Sequence, residues 1–239
     1  VADFSGYLHW LDAATSAFAK DDITVAMQLE PPHLDPTSAA AGAIDSVLYT
    51  NVFEGLTRFM GDGSVVPGLA ESWEISEDGR EYTFHLRANA KWTNGAAVKA
   101  SDFAYSYQRM LTPALGAKYA YMLHVLKNAK AFNAGTLEDF SEVGVKAVDD
   151  RTLVLILEEP TPYFLQLINH YSWYPVHPPT IKKFGGMTQR DSKWTQPENF
   201  VGNGSFRLKE WKLNEHVLVE KSSTYWDAVK VKLEKIYFL

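Results

Sequence analysis

The chain has 239 residues, 46% hydrophobic and 22% charged, with a net charge of −6; this is the balance of a folded protein able to bury a substantial core, not of a disordered or fibrous one. The acidic balance and the lack of a basic block argue against a nucleic-acid surface, and no apolar run approaches the ~20 residues a membrane-crossing helix needs. Absence of cysteine removes disulfides, thiolate metal sites and cysteine nucleophiles together.

Residues 1–22 carry only Leu8, Trp10, Leu11 and Phe18 as an apolar set, fitting a short amphipathic helix or a leader segment. Ile23, Val25 and Met27 alternate as one face of a strand over residues 23–29, which Pro31 and Pro32 end because proline cannot donate to a ladder. A small-residue loop follows from His33 to Ala43, then a helix over residues 44–56 with Ile44, Val47, Leu48, Val52 and Phe53 apolar and Gly55 near its end. Asp62-Gly63 predicts a turn. Trp73 and Ile75, the polar loop Ser76–Arg80, and alternating Tyr82, Phe84 and Leu86 predict a β-hairpin.

Asn94-Gly95 is another turn signal, after which Ser101 as cap, Asp102 in the first turn and the stripe Phe103, Tyr107, Met110, Leu111 predict a helix stopped by Pro113. A further helix is expected over Tyr119–Leu126, broken by Ala134-Gly135. Val143–Val148, the turn Asp149-Asp150-Arg151 and Leu153–Leu157 form a second hairpin, its last run continuous enough for a strand buried on both faces. Thr161–Ile168 suits a short helix entered by prolines, and the aromatic, proline-rich run Tyr171–Pro179 suits a crossover between subdomains. Phe206–Trp211 and His216–Glu220 form a third hairpin, and Leu233–Leu239 a last strand.

One set of segments carries a resemblance: Ala70-Glu71-Ser72-Trp73, Tyr82-Thr83-Phe84-His85-Leu86-Arg87, Ala90-Lys91-Trp92 with Gly95, and Asp102-Phe103 with Gln108-Arg109. Leu34-Asp35-Pro36 and Phe53-Glu54-Gly55-Leu56 precede them; Gly144–Asp150, Pro160–Phe164, Trp194–Pro197, Asn203-Gly204, Leu218–Lys221 and Tyr225-Trp226-Asp227 follow. In this order, from about residue 23 to the end, they resemble the extracytoplasmic solute-binding proteins of peptide-type ABC importers, the oligopeptide- and dipeptide-binding family.

The resemblance implies a mixed α/β fold, the first lobe of a bilobed protein about twice this length. It places residues 1–53 and 180–239 in a discontinuous domain and residues 54–179 in an inserted subdomain, with the second lobe absent from the chain. It further implies a monomer outside the cytoplasmic membrane, not inserted directly in it and with its signal peptide already absent, that captures peptides or related small solutes for a membrane-embedded permease. A sensory module on the same fold is the alternative, though residues 1–22 resemble no DNA-binding helix pair.

The residues point to binding rather than turnover, with no cofactor. Seven histidines are scattered without metal spacing. No serine sits in a nucleophile elbow, and the carboxylates Glu71, Glu74, Glu77 and Asp78 cluster at a turn where solvation explains them. Gly202-Asn203-Gly204 is a turn, not a phosphate loop. Tyr119 matches a tyrosine that lines the ligand cleft of oligopeptide-binding members, its ring to cover the ligand; a core tyrosine of the subdomain is the alternative. Ala41, Gly42 and Ala43 bring backbone without bulk to an equivalent ligand-contacting position, although their residue types and spacing depart from the family pattern. Glu30 beside them is either a partner for a ligand amine or a solvated strand end. The acidic residue that holds the peptide amino terminus in the family belongs to the second lobe.

Overall fold

The computed structural model describes residues 21–27, 31, 33–38, 46–190 and 192–239. The described residues are organised around two antiparallel-rich sheets, each with its own apolar core. The first sheet is built from β4 (Ala70–Ile75), β5 (Glu81–Leu86), β6 (Val145–Ala147) and β7 (Thr152–Ile156), in the order β4-β5-β7-β6. Local chemistry makes its first hairpin. Ser76 accepts from the Gly79 amide and its hydroxyl donates to Asp78 at 2.6 Å, while Gly79 takes φ +70°, a region open to glycine without a Cβ clash. Register then sets Trp73 against Phe84 and Ile75 against Tyr82. Tyr82, Phe84 and Leu86 are buried, while their neighbours face outward.

β7 is central, yet it is not buried on both faces as its apolar run suggests. Leu153 and Leu155 are buried whereas Thr152, Val154 and Ile156 are only half-buried, because helices cover one face of this sheet. The main cover is the helix Ala100–Leu111, whose residues Phe103, Tyr107, Met110 and Leu111 recur at helical spacing and are fully buried. Its start differs from expectation. Ser101 is exposed inside the helix and does not cap it; the Asp102 carboxylate instead accepts from the Lys99 amide at 3.0 Å and from the Trp92 indole at 3.0 Å. An acid reaching back from the first turn satisfies the orphan amide, so the serine hydroxyl is not needed.

The second sheet has the order β1-β10-β9-β8, with β1 (Asp22–Val25), β8 (Phe206–Lys212), β9 (His216–Lys221) and β10 (Lys235–Phe238). β1 runs parallel to β10, Ile23 beside Ile236 and Val25 beside Phe238, so the two ends of the described chain share one sheet. Its core contains Leu34, Phe53, Val176, Trp194, Val217, Val219, Ile236 and Phe238; the other contains Phe84, Trp92, Phe103, Leu153, Phe164 and Trp173. Tyr171, Tyr174 and Val176 enter the second core while Trp173 between them enters the first, so the aromatic run is the seam between the two.

The described helix α1 covers Ser46–Val52 and stops earlier than the expected residue 56. Tertiary bonds take over its end: the Gly204 amide donates to the Val52 carbonyl at 3.0 Å, and the Leu56 carbonyl accepts from Gly68 and Ala70. Thr57–Phe59 (β2) and Val65–Pro67 (β3) then pair as a short hairpin around Gly63, where only a turn was legible. The helix Ala100–Leu111 is α2; α3 (Ala129–Asn133), α4 (Phe164–Leu167) and α5 (Pro178–Lys183) are single turns or little more. Tyr119–Leu126 forms a 3-10 segment, Ala120–Val125, rather than an α-helix.

Candidate functional site

Tyr119 is carried to the seam by the chain that leaves α2. Pro113 opens a 3-10 turn that Gly116 closes at φ 62°, and Tyr119 then immediately precedes the segment Ala120–Val125. Its ring is half-buried and touches both cores. It meets His170 at 5.1 Å and Tyr171 at 5.9 Å between centroids, both edge to face. Tyr121 lies 6.1 Å away with 58% of its surface exposed. Tyr171 in turn stacks on Tyr49 of α1 at 4.9 Å. Three segments thus assemble an aromatic wall with one solvent-facing side, a surface that accepts apolar groups at low entropic cost.

His170 adds a polar group. Burial lowers its pKa, which favours the neutral ring. The Ser172 amide donates to Nδ1 at 3.2 Å, so the neutral imidazole carries its proton on Nε2 as a donor.

Beside this wall, the loop His33–Ser38 is anchored at both ends. The Tyr49 hydroxyl donates to the His33 carbonyl at 2.7 Å. The Asp35 carboxylate accepts from the Thr37 amide at 3.0 Å, the Thr37 hydroxyl at 2.6 Å and the Ser38 hydroxyl at 2.9 Å. It also pairs with Arg109 of α2 at 2.8 Å, both side chains almost wholly buried. Burial alone would raise the Asp35 pKa; the Arg109 charge and the hydroxyl bonds outweigh it and hold the group below its ordinary value.

A second polar cluster sits at Glu54, just past α1. The Tyr225 hydroxyl and the Trp226 indole each donate to its carboxylate at 2.6 Å, and the Asn203 side chain spans its backbone, accepting from the Glu54 amide at 3.1 Å and donating to its carbonyl at 3.0 Å. Arg87, just past the end of β5, lies 3.7 Å from the centre of the Trp226 ring. Burial raises the Glu54 pKa, against the opposing pull of those bonds and of Arg58 and Arg87. These residues hold one another, and they explain why Phe53–Leu56, Asn203-Gly204 and Tyr225–Asp227 belong to one pattern.

Of the residues singled out from sequence, Tyr119 stands on the wall. Glu30, Ala41, Gly42 and Ala43 lie outside the described residues, although Ser38 leads directly into that stretch. Sequence reasoning passed over His170, Tyr171 and Tyr49, because the run 171–179 looked like a crossover; its density of rings beside a histidine was the available signal. The segment Gly202–Gly204 is more than a turn: a Cβ on Gly202 would stand 2.1 Å from the Val52 carbonyl oxygen. Among the described residues no group of three or more His, Asp or Glu side chains is placed to hold a metal ion, and no helix is long and apolar enough to cross a membrane.

Residues 64–239 match the family described as bacterial extracellular solute-binding proteins, family 5 Middle. The chain is 42% identical over 187 residues to the dipeptide-binding protein DppE of Bacillus subtilis, covering 78% of this chain and 33% of that protein. It is 40% identical over 213 residues to the periplasmic oligopeptide-binding protein OppA of Escherichia coli, covering 88% and 37%. Among solved structures, Haemophilus influenzae OppA in complex with the peptide RPPGFSPFR superposes with a TM-score of 0.86 at 34% identity, over 92% of this chain and 42% of that one. The Escherichia coli murein tripeptide-binding protein MppA superposes at 0.85 with 35% identity, over 92% and 42%. The chain therefore spans less than half the length of these relatives.

Proposed function

The chain belongs to the bacterial extracellular solute-binding proteins of family 5, and on that footing we propose that it forms one lobe of the ligand-capturing component of a peptide importer. In this reading the whole protein holds a peptide or related small solute outside the cytoplasmic membrane and delivers it to a membrane-embedded permease. In this reading residues 1–53 and 180–239 form the discontinuous domain and residues 54–179 the insertion; the pairing of β1 with β10 supports the discontinuity, while Tyr171, Tyr174 and Val176 carry the end of the insertion into the second core. The observation that carries the reading is the aromatic wall at Tyr119, with Tyr121 exposed on it and the loop 33–38 tied to it through Tyr49.

Chemically this wall binds and does not transform. The Tyr119 and Tyr121 rings offer apolar area and His170 offers a donor; in this reading the small residues Ala41, Gly42 and Ala43 admit ligand backbone and Glu30 meets a ligand amine, an expectation that rests on the sequence alone. Closure of a second lobe over the wall would bury the ligand and complete its contacts. Calorimetric titration of the full-length protein with tri- to pentapeptides tests this. Wild type is expected to bind at least one, and Tyr119→Ala to weaken it by about tenfold or more, or ~1.4 kcal/mol. Unchanged affinity in Tyr119→Ala, or no peptide binding by wild type, removes the reading.

A further inference from the structure

His170 stands just before the 3-10 turn Tyr171–Trp173 and caps it: the Ser172 amide donates to Nδ1 at 3.2 Å, and the Ser172 hydroxyl lies 2.9 Å from the same nitrogen. Short side chains such as serine or asparagine usually fill such a position. An imidazole makes the same bond with one nitrogen and keeps a second at the other end of its ring. The ring packs against Tyr171 at 4.3 Å and Tyr119 at 5.1 Å between centroids. Turning it over would set a carbon against the Ser172 amide, so the bond fixes which nitrogen faces away from the turn.

The capping bond also fixes the proton. Nδ1 accepts, so the neutral ring carries its hydrogen on Nε2. Protonating Nδ1 would bring its hydrogen against the Ser172 N–H, and burial already favours the uncharged ring. Among the described residues none accepts a hydrogen bond from Nε2, and this atom is not one of the buried polar atoms shut away from water. The result is an N–H of set direction and set charge state, open to solvent beside Tyr119.

A neutral donor held against becoming a cation suits a neutral acceptor. A carboxylate gains most from an imidazolium, the state that the cap opposes, whereas a carbonyl oxygen needs only the N–H. An extended peptide presents such an oxygen at every residue, whatever its side chains.

We propose that His170 recognises ligand main chain: the capping bond from Ser172 fixes the imidazole so that Nε2 donates to a peptide carbonyl oxygen lying against the Tyr119 ring. This rests on the reading of the Tyr119 wall as ligand-facing. The bond gives affinity without selecting side chains, and the rings beside it supply apolar area to whichever side chain follows.

Two substitutions separate the cap from the donor. Asparagine reproduces Nδ1: in His170→Asn the amide oxygen accepts from Ser172 and the turn stays capped, but nothing stands where Nε2 stood. Glutamine reproduces Nε2: His170→Gln carries an N–H there and gives up the short cap. Both lose the ring contacts with Tyr119 and Tyr171, so the difference between them reports the donor. Calorimetry uses the full-length protein and tri-alanine if wild type binds it, or otherwise the tightest of the tri- to pentapeptides. His170→Asn is expected to bind about fivefold more weakly than His170→Gln, while thermal melts place His170→Gln below His170→Asn. If His170 only caps the turn, affinity follows stability; equal affinities in the two variants, or the reverse order, overturn the proposal.

The same ligand with its carbonyl oxygens replaced one at a time by sulfur, a weaker acceptor, identifies the group. One position is expected to weaken wild type by about threefold or more and to leave His170→Asn unaffected. The same pattern of losses in wild type and His170→Asn overturns the assignment, and this comparison decides the matter if His170→Gln does not fold. Should Tyr119→Ala bind as well as wild type, the functional reading itself has failed, whereas loss in Tyr119→Ala with equal affinities in the two His170 variants fails only His170.

Discussion

Replacing Glu54 separates two contributions that its burial combines. The carboxylate is 6% exposed and receives two donors at 2.6 Å, the Tyr225 hydroxyl and the Trp226 indole. Glu54→Ala leaves both donors without their acceptor, at about 1–3 kcal/mol each, so a total loss of roughly 2–6 kcal/mol. For a chain of this size each kcal/mol moves Tm by about 2–4 °C. Glu54→Gln behaves differently. Its amide oxygen can accept from the indole while its NH2 group donates to the tyrosine oxygen, leaving only the tyrosine proton without its acceptor, so the loss is expected to be about 1–3 kcal/mol, roughly half that of Glu54→Ala. Arg58 loses a partner, but that contact is 3.6 Å long and the side chain is 38% exposed, so its share is small.

The pH dependence gives an independent check. Burial raises the Glu54 pKa in the folded state, so between its unfolded and folded pKa values the folded form holds a proton the unfolded form has released. Stability from this group is full below the unfolded value and declines as pH rises through the folded one. Glu54→Gln does not titrate and is expected to lack that decline. Urea unfolding of wild type and both variants from pH 4 to pH 8 measures every quantity required. Equal losses in Glu54→Ala and Glu54→Gln, or an identical pH slope in wild type and Glu54→Gln, would refute the reasoning.

Two further outcomes are expected. Gly204→Ala places a Cβ 2.3 Å from the Asn51 carbonyl oxygen and 2.5 Å from the Val52 carbonyl carbon; backbone cannot yield there cheaply, so a loss of about 1–3 kcal/mol or more is expected by denaturant titration. Asp35 has the opposite sign to Glu54: its folded pKa is lowered, so its stabilisation is present above the ordinary aspartate value and is lost as pH falls through the folded one. Asp35→Asn is expected to cost about 3–5 kcal/mol at neutral pH, because Arg109 is left as a buried charge without a counter-charge. The gap from wild type should narrow on acidification, as followed by thermal melts between pH 2 and pH 7.

Hairpins were legible from the chain alone because their signals are local. Alternation at Tyr82, Phe84 and Leu86 around a serine-aspartate-glycine turn settles both pairing and face within about ten residues, as does the pair β8 and β9 around Leu213–Glu215. The stripe on α2 is local in the same sense. Where a bond partner is distant the residues carry no local sign of it. Glu54 meets Tyr225 from 171 positions away, Asn203 reaches it across 149, and Asp35 meets Arg109 across 74.

Those long-range bonds decided what periodicity left open. α1 ends at Val52 because Gly204 takes its carbonyl, and Ser101 is idle because Asp102 is already held by Trp92 and Lys99. The aromatic wall at Tyr119 belongs to this second class. Tyr119 was identifiable by resemblance, but His170, Tyr171 and Tyr49 became its neighbours only when the seam between two cores brought three segments together. Local propensity settles strands, turns and helix faces within a few residues. Which polar groups pair, where helices stop and which rings share a surface follow from burial, which forces each distant donor to find its acceptor.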